Sequence, residues 1–272
     1  MKKVFTGLML LMFSISLVSR AEGDELKKFR FGVTANASIY GYKPDNLKKF
    51  EKGGSKPGFG VLINAEFSFI ENVALGFGFG LSAAGGKVDF LDTVQYYVND
   101  GDILKVKDGK PWYDGTGLSA SAKVDTFRLK SRTYKASYYT IPVALKMRTN
   151  EIGHMRYFLE PRLNIGIRKK VRADDKVINL NTAGSTSEVQ NADLNISADM
   201  SAMAMGFAIS GGGEYTLTGS TAVVFSLGYD MGMSNVVQGT SENLLRIKDK
   251  ERKALEQKFN QNGLTLSLGI LF

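Results

Sequence analysis

The chain has 272 residues, 43% of them apolar and 23% charged, with a formal charge of +8; that is too polar for a helical membrane protein and too apolar for a disordered tail. Thirty glycines against five prolines, with 17 Phe and 11 Tyr, make a strand-and-turn composition. The absence of cysteine excludes disulfides, thiolate metal sites, a thiol nucleophile and lipoprotein attachment, and a single histidine, His154, excludes a His-rich metal centre.

Residues 1–21 stand apart from the rest. Lys2 and Lys3 precede an apolar run over 4–18, and Ser19-Arg20-Ala21 offers small residues at both cleavage positions, the pattern of a cleaved secretory signal peptide. Removing it takes away three bases and no acid, leaving a formal charge of +5. No later stretch reaches the roughly 18 apolar residues that a spanning helix needs.

Period-two alternation then recurs along the chain. Over 29–40 the odd positions Phe29, Phe31, Val33, Ala35, Ala37 and Ile39 are apolar, while Arg30, Gly32, Thr34, Asn36, Ser38 and Tyr40 fill the even ones. The same split predicts strands over 58–69, 73–84, 137–147, 155–167, 203–215, 223–233 and 264–272. Within the third, Gly76, Gly78 and Gly80 alternate inside a strand, which suits clearance for neighbouring side chains and not a phosphate loop, whose glycines sit at a strand-to-helix turn. Gly53-Gly54-Ser55-Lys56 lacks P-loop spacing and reads as a loop tip.

Connections two, four and six are short (70–72, 148–154, 216–222), whereas 41–57, 85–136, 168–202 and 235–263 are long. Alternating short and long connections with an apolar outer stripe predict an all-β fold, an eight-stranded antiparallel up-and-down transmembrane β-barrel. Residues 22–272 form one domain on this reading, with periplasmic turns and termini, extracellular loops and a bacterial outer-membrane location. A soluble sandwich or lipocalin-like barrel would carry many Lys and Glu on its polar face. Here that face is mostly Gly, Ala, Ser, Thr and Asn, which suits the crowded lumen of a small barrel.

Charges of inward parity are Arg30, Lys146, Arg156, Arg162 and Arg168 against Glu66, Glu160, Glu214 and Asp230. A charge in a narrow lumen must be paired. Arg30, Glu66, Lys146, Arg156, Glu160, Arg162, Glu214 and Asp230 are therefore expected to form a structural salt-bridge plug, with a proton or ion path as the functional alternative. His154 falls in the second short turn, the wrong end for barrel lipases or proteases, and no catalytic, metal or cofactor-binding residue is assigned. In the long second loop, Asp100-Gly101 and Asp108-Gly109 between β-formers predict hairpins that extend the wall. Trp112 there either anchors a partner or packs the hairpins. Residues 241–259 have helix-forming composition, to cap the barrel mouth or lie on lipopolysaccharide phosphate.

Tyr138-Tyr139-Thr140-Ile141-Pro142-Val143-Ala144-Leu145-Lys146 resembles the Y-x-E-I-P-x-x-x-K strand of the PorT-like outer-membrane β-barrel proteins of Bacteroidota. Gly211-Gly212-Gly213-Glu214-Tyr215, Tyr229-Asp230-Met231-Gly232-Met233-Ser234-Asn235 and Leu268-Gly269-Ile270-Leu271-Phe272 are similar to that family's later strands. The pattern departs at Thr140, where an acid is common, and over 226–228, where a base is. The resemblance implies an eight-strand barrel without a known catalytic site, some relatives being accessory parts of type IX secretion or gliding machinery. A non-enzymatic structural or docking component is thus expected, with a narrow channel or a lipid-modifying barrel enzyme as alternatives. Its expected partners are outer-membrane lipid and lipopolysaccharide, the outer-membrane assembly machinery, which would read Phe272 as a terminal signal, and other envelope proteins. No cofactor and no nucleic acid are expected.

Overall fold

The computed structural model describes residues 28–112, 123–181, 187–249 and 251–272. The expected leader, residues 1–21, lies outside them. Eight long strands close a ring among the described residues: β1 (Phe29–Pro44), β2 (Phe50–Ile70), β3 (Val73–Asn99), β7 (Asp125–Arg148), β8 (Met155–Asn179), β10 (Met203–Thr218), β11 (Thr221–Gly232) and β14 (Phe259–Leu271). All neighbours are antiparallel, and β14 returns to pair with β1, Gly32 opposite Leu271 and Tyr40 opposite Gly263. Closure leaves none of these strands with a free edge inside hydrocarbon.

The alternation does what the pleat requires. Val33, Phe59, Val61, Phe77, Phe79, Leu159, Ile209, Phe225, Leu227, Leu266 and Leu268 stand exposed on the outer wall, while Leu62, Ala144, Ala208 and Ser226 are buried inside. Gly78 and Gly80 are indeed positions of close approach: a Cβ on Gly78 would fall 2.6 Å from Asn64 Oδ1, and one on Gly80 would fall 2.0 Å from the Val61 carbonyl. One end of the barrel carries the start of β1, the end of β14 and the short turns; this is the turn end, and the opposite one is the loop end.

At the loop end the strands run well beyond their expected limits, because β2, β3, β7 and β8 continue as a wall that bounds a packed head. Short pieces complete it: β4 (Asp102–Ile103), β5 (Lys105–Lys107), β6 (Lys110–Trp112), β9 (Glu188–Asn195), β12 (Thr240–Lys248) and β13 (Glu251–Glu256). The Asp-Gly hairpins form as their chemistry dictates, with positive φ at both central residues (47° and 88° at Asp100-Gly101, 51° and 73° at Asp108-Gly109). Trp112 packs within the β5–β6 hairpin, the Lys107 ammonium 4.7 Å from its ring centroid.

The fourth loop is a correction. The segment 241–259 is helix-forming by composition, but its described residues, 241–249 and 251–259, fold as the β12–β13 hairpin and the start of β14. The extended edge of β3 offers backbone groups that need partners, and Leu245 and Arg246 of β12 take them opposite Gln95 and Val94. The hairpin also buries Leu244 and Leu255 in the head, beside Phe259 at the start of β14. Tertiary pairing outweighs a propensity difference of a few tenths of a kcal/mol per residue.

Candidate functional site

The lumen is built in three layers. At the turn end, Arg30 faces Glu66 across the β1–β2 register and donates to Glu66 and Glu214, both at 2.9 Å. From β7, Lys146 reaches Glu66 and stands 3.2 Å from Glu214 and 3.5 Å from Glu160. Arg148 bridges the same two carboxylates, its Nε 3.0 Å from Glu214. Arg162 lies 3.6 Å from Glu160. Glu66, Glu214, Lys146 and Arg148 are buried, so each carboxylate must be met by several donors for its desolvation to be offset. The cluster links β1, β2, β7, β8 and β10 across the lumen.

The structure brings Arg30, Glu66, Lys146, Glu160, Arg162 and Glu214 together, and it leaves two expected members out. Arg156, although opposite Glu214 in register, sits at the rim and pairs with Glu151 at 3.0 Å, because one residue from the strand end its long side chain can leave the lumen for water. Asp230 lies higher, accepting from Asn164 (3.0 Å), Thr265 (2.6 Å) and Tyr40 (3.3 Å). The apolar pattern leaves Arg148 in a turn; β7 runs one residue further and keeps the parity of Lys146. Arg168 turns in at the loop end, where its guanidinium donates to the Ser197 and Met200 carbonyls.

Above the ion cluster lies a chamber of about 110 Å³ with a mixed lining, in which Asn36, Tyr40, Asn164 and Asp230 stand beside Leu62 and Val236. A smaller cavity of about 60 Å³ lies against Glu66, Lys146 and Glu160. The third layer closes the top: Tyr42, Phe50, Tyr134 and Phe259 are fully buried and pack ring to ring, with centroids 5.0 to 6.5 Å apart.

Within the head one further charged group was not legible in the sequence. Arg132 binds Asp175 in a bidentate fork, both contacts 2.8 Å, and stands 3.6 Å from Asp199. All three are buried. Asp199 also accepts from the Ser241 hydroxyl and the Glu242 amide. Burial pushes the Asp199 carboxyl above its ordinary value, against the opposing pull of Arg132 and of the hydrogen bonds from Ser241 and Glu242. A carboxyl raised in this way contributes stability that is present below its unfolded pKa of about 3.9 and is lost as pH rises through the folded value. Asp199→Asn keeps an oxygen for Ser241 and abolishes the titration. Its melting temperature in detergent is therefore expected to gain on the parent's as pH is raised from about 4 to about 7; parallel profiles would refute this.

Phe272 ends the chain exposed on the outer wall, its backbone bonded both ways to Phe31. His154 stays in the second short turn, its ring 6.0 Å from that of Tyr215. Among the described residues no group of His, Asp or Glu is arranged to hold a metal ion, and no helix is long and apolar enough to cross a membrane.

Among solved structures, the chain is similar to Neisserial surface protein A (14% identity, TM-score 0.35, covering 89% of this chain and 95% of that one). It is also similar to a major outer membrane protein of Thermus thermophilus (14%, 0.40, 90% and 98%) and to OprG of Pseudomonas aeruginosa (7%, 0.40, 90% and 96%). No curated protein matches. These structural likenesses are distant, and the assignment rests on the sequence family. Residues 19–238 match the outer membrane protein beta-barrel domain, and with the closed eight-strand ring the chain belongs to that family of outer-membrane barrels.

Proposed function

We propose that the protein is a sealed, non-enzymatic barrel whose turn end and termini face the periplasm, and whose head stands outside the cell as a docking surface for other envelope proteins. The carrying observation is the closure of the lumen at two levels, by the ion cluster around Glu66 and Glu214 and by the aromatic core around Tyr42 and Phe259. A diffusion pore needs about 16 strands to leave an aqueous channel, and this wall spends its extra strand length on a folded head instead. The resemblance to PorT-like proteins supports an accessory role of the type IX secretion or gliding kind. Lipopolysaccharide and the assembly machinery are the partners every such barrel meets on its way to the membrane.

Planar-bilayer recording of the purified protein is expected to show no steady conductance; reproducible open steps would replace this reading with a narrow channel. Photocrosslinkers placed on the head at Leu180 and Val189, both exposed, are expected to capture envelope proteins in native membranes, whereas one at Asn150 in a turn is not. Altered lipid A mass in a deletion strain would assign a lipid-modifying enzyme.

A further inference from the structure

Just past Tyr139 and Ile167, which face each other at the loop-end edge of the apolar stripe on β7 and β8, the outer wall turns basic. Tyr138 pairs with Arg168 but Ser137 pairs with Lys170, so Lys169 is an extra residue in β8. Such a bulge breaks the alternation. Its consequence is that two successive lysines, Lys169 and Lys170, are both exposed, between the inward Arg168 and the buried Val171. Arg172 follows opposite Lys135 of β7. The Lys169 ammonium lies 5.5 Å from the Tyr139 ring centroid, and that ring stacks on Phe79 at 6.1 Å. The acids beside the patch are Asp174, ion-paired to Lys135, and Asp193, 3.9 Å from Arg172. Among the described residues neither Lys169 nor Lys170 has an ion pair.

Asp174 and Asp193 each already face one base, so Lys169 and Lys170 leave this face with a net positive charge that favours a bound anion. Their height decides which anion is at hand: a tyrosine at the edge of the lipid-facing stripe marks the headgroup level, and the lysines stand one step above it. We propose that Lys169, Lys170 and Arg172, with Lys135, bind a phosphate on the headgroup of an outer-leaflet lipid, its acyl chains lying against Phe79 and Tyr139. The inference rests on the reading that the loop end faces outward. Arg172 offers a planar fork to two phosphate oxygens, and the lysines act as point charges. The bulge is what assembles the site, since regular alternation would point one of the two lysines inward.

The test uses the full mature chain in nanodiscs, titrated with bisphosphorylated lipid A, the same lipid after phosphatase treatment, and inorganic phosphate. The parent is expected to bind the phosphorylated lipid in preference to the dephosphorylated one. K169Q/K170Q/R172Q is expected to lose about a hundredfold in affinity, from roughly a factor of five per charge, while K110Q/K248Q/K253Q on the head does not. Equal binding of both lipids, or an unchanged triple variant, would overturn the site without touching the sealed-barrel reading, which bilayer conductance tests separately. Inorganic phosphate displacing the lipid at equal concentration would assign a soluble anion instead. Lys169→Cys is expected to react with impermeant reagent on intact cells; protection there would overturn both the outer-leaflet assignment and the orientation.

Discussion

Replacing Glu66 and Glu214 together by Gln is expected to destabilise the barrel by several kcal/mol, more than any other pair of side-chain changes in the lumen. These two carboxylates share Arg30, Lys146 and Arg148. Without them the three bases keep only Glu160, 3.5 Å from Lys146. Breaking a buried ion pair by removing one partner costs about 3–5 kcal/mol, because the other charge stays desolvated. The two acids back each other up, so the double variant is expected to lose more than the sum of the singles. Glu160→Gln is expected to cost least, since its partners lie at 3.5 and 3.6 Å and it accepts no shorter ion pair. Adding Lys146→Met to Glu66→Gln removes an acid and a base together and is expected to restore much of the loss of Glu66→Gln alone. Heat-modifiable mobility in detergent reports the order. Parent-like unfolding of the double variant would mean that these groups do not form the cluster in the membrane.

Deleting residues 263–272 is expected to abolish assembly outright. β14 is the strand through which the ring closes, paired with β1 from Gly32↔Leu271 onward and with β11 from Ala222↔Leu271 to Met231↔Asn262. Without it β1 and β11 each present a row of unpaired backbone groups to hydrocarbon, at several kcal/mol per group. Phe272→Asp is expected to be milder: the backbone bonds to Phe31 remain, and an exposed aromatic of the outer wall is exchanged for a group that prefers water. Protease protection in isolated outer membranes measures both. Full-yield, protected insertion of the shortened chain would show that the ring closes without β14.

Much of the barrel is legible in the sequence because a strand's pleat has a period of two, so whether Phe79 faces lipid or Glu66 faces the lumen follows from parity alone. The short connections and the Asp100-Gly101 and Asp108-Gly109 turns are equally local: two residues decide their backbone. Which inward charges meet is another matter. Glu66 and Glu214 come from strands separated in the ring, and their shared contacts with Arg30, Lys146 and Arg148 depend on the stagger accumulated around the closed sheet. Arg156 has the right parity and escapes to Glu151 at the rim, and Arg148 joins only because β7 runs one residue longer than its apolar pattern. Beyond those two hairpins, the head depends on distant strands in the same way. Its wall is the continuation of strands whose alternation is interrupted by bulges, as between Leu129 and Ser131, and the β12–β13 segment takes its form from the edge of β3. Parity and turn chemistry are properties of neighbouring residues and belong to the sequence. Stagger, strand length beyond the membrane and the fate of an unpaired edge are set by distant strands, and only the closed structure decides them.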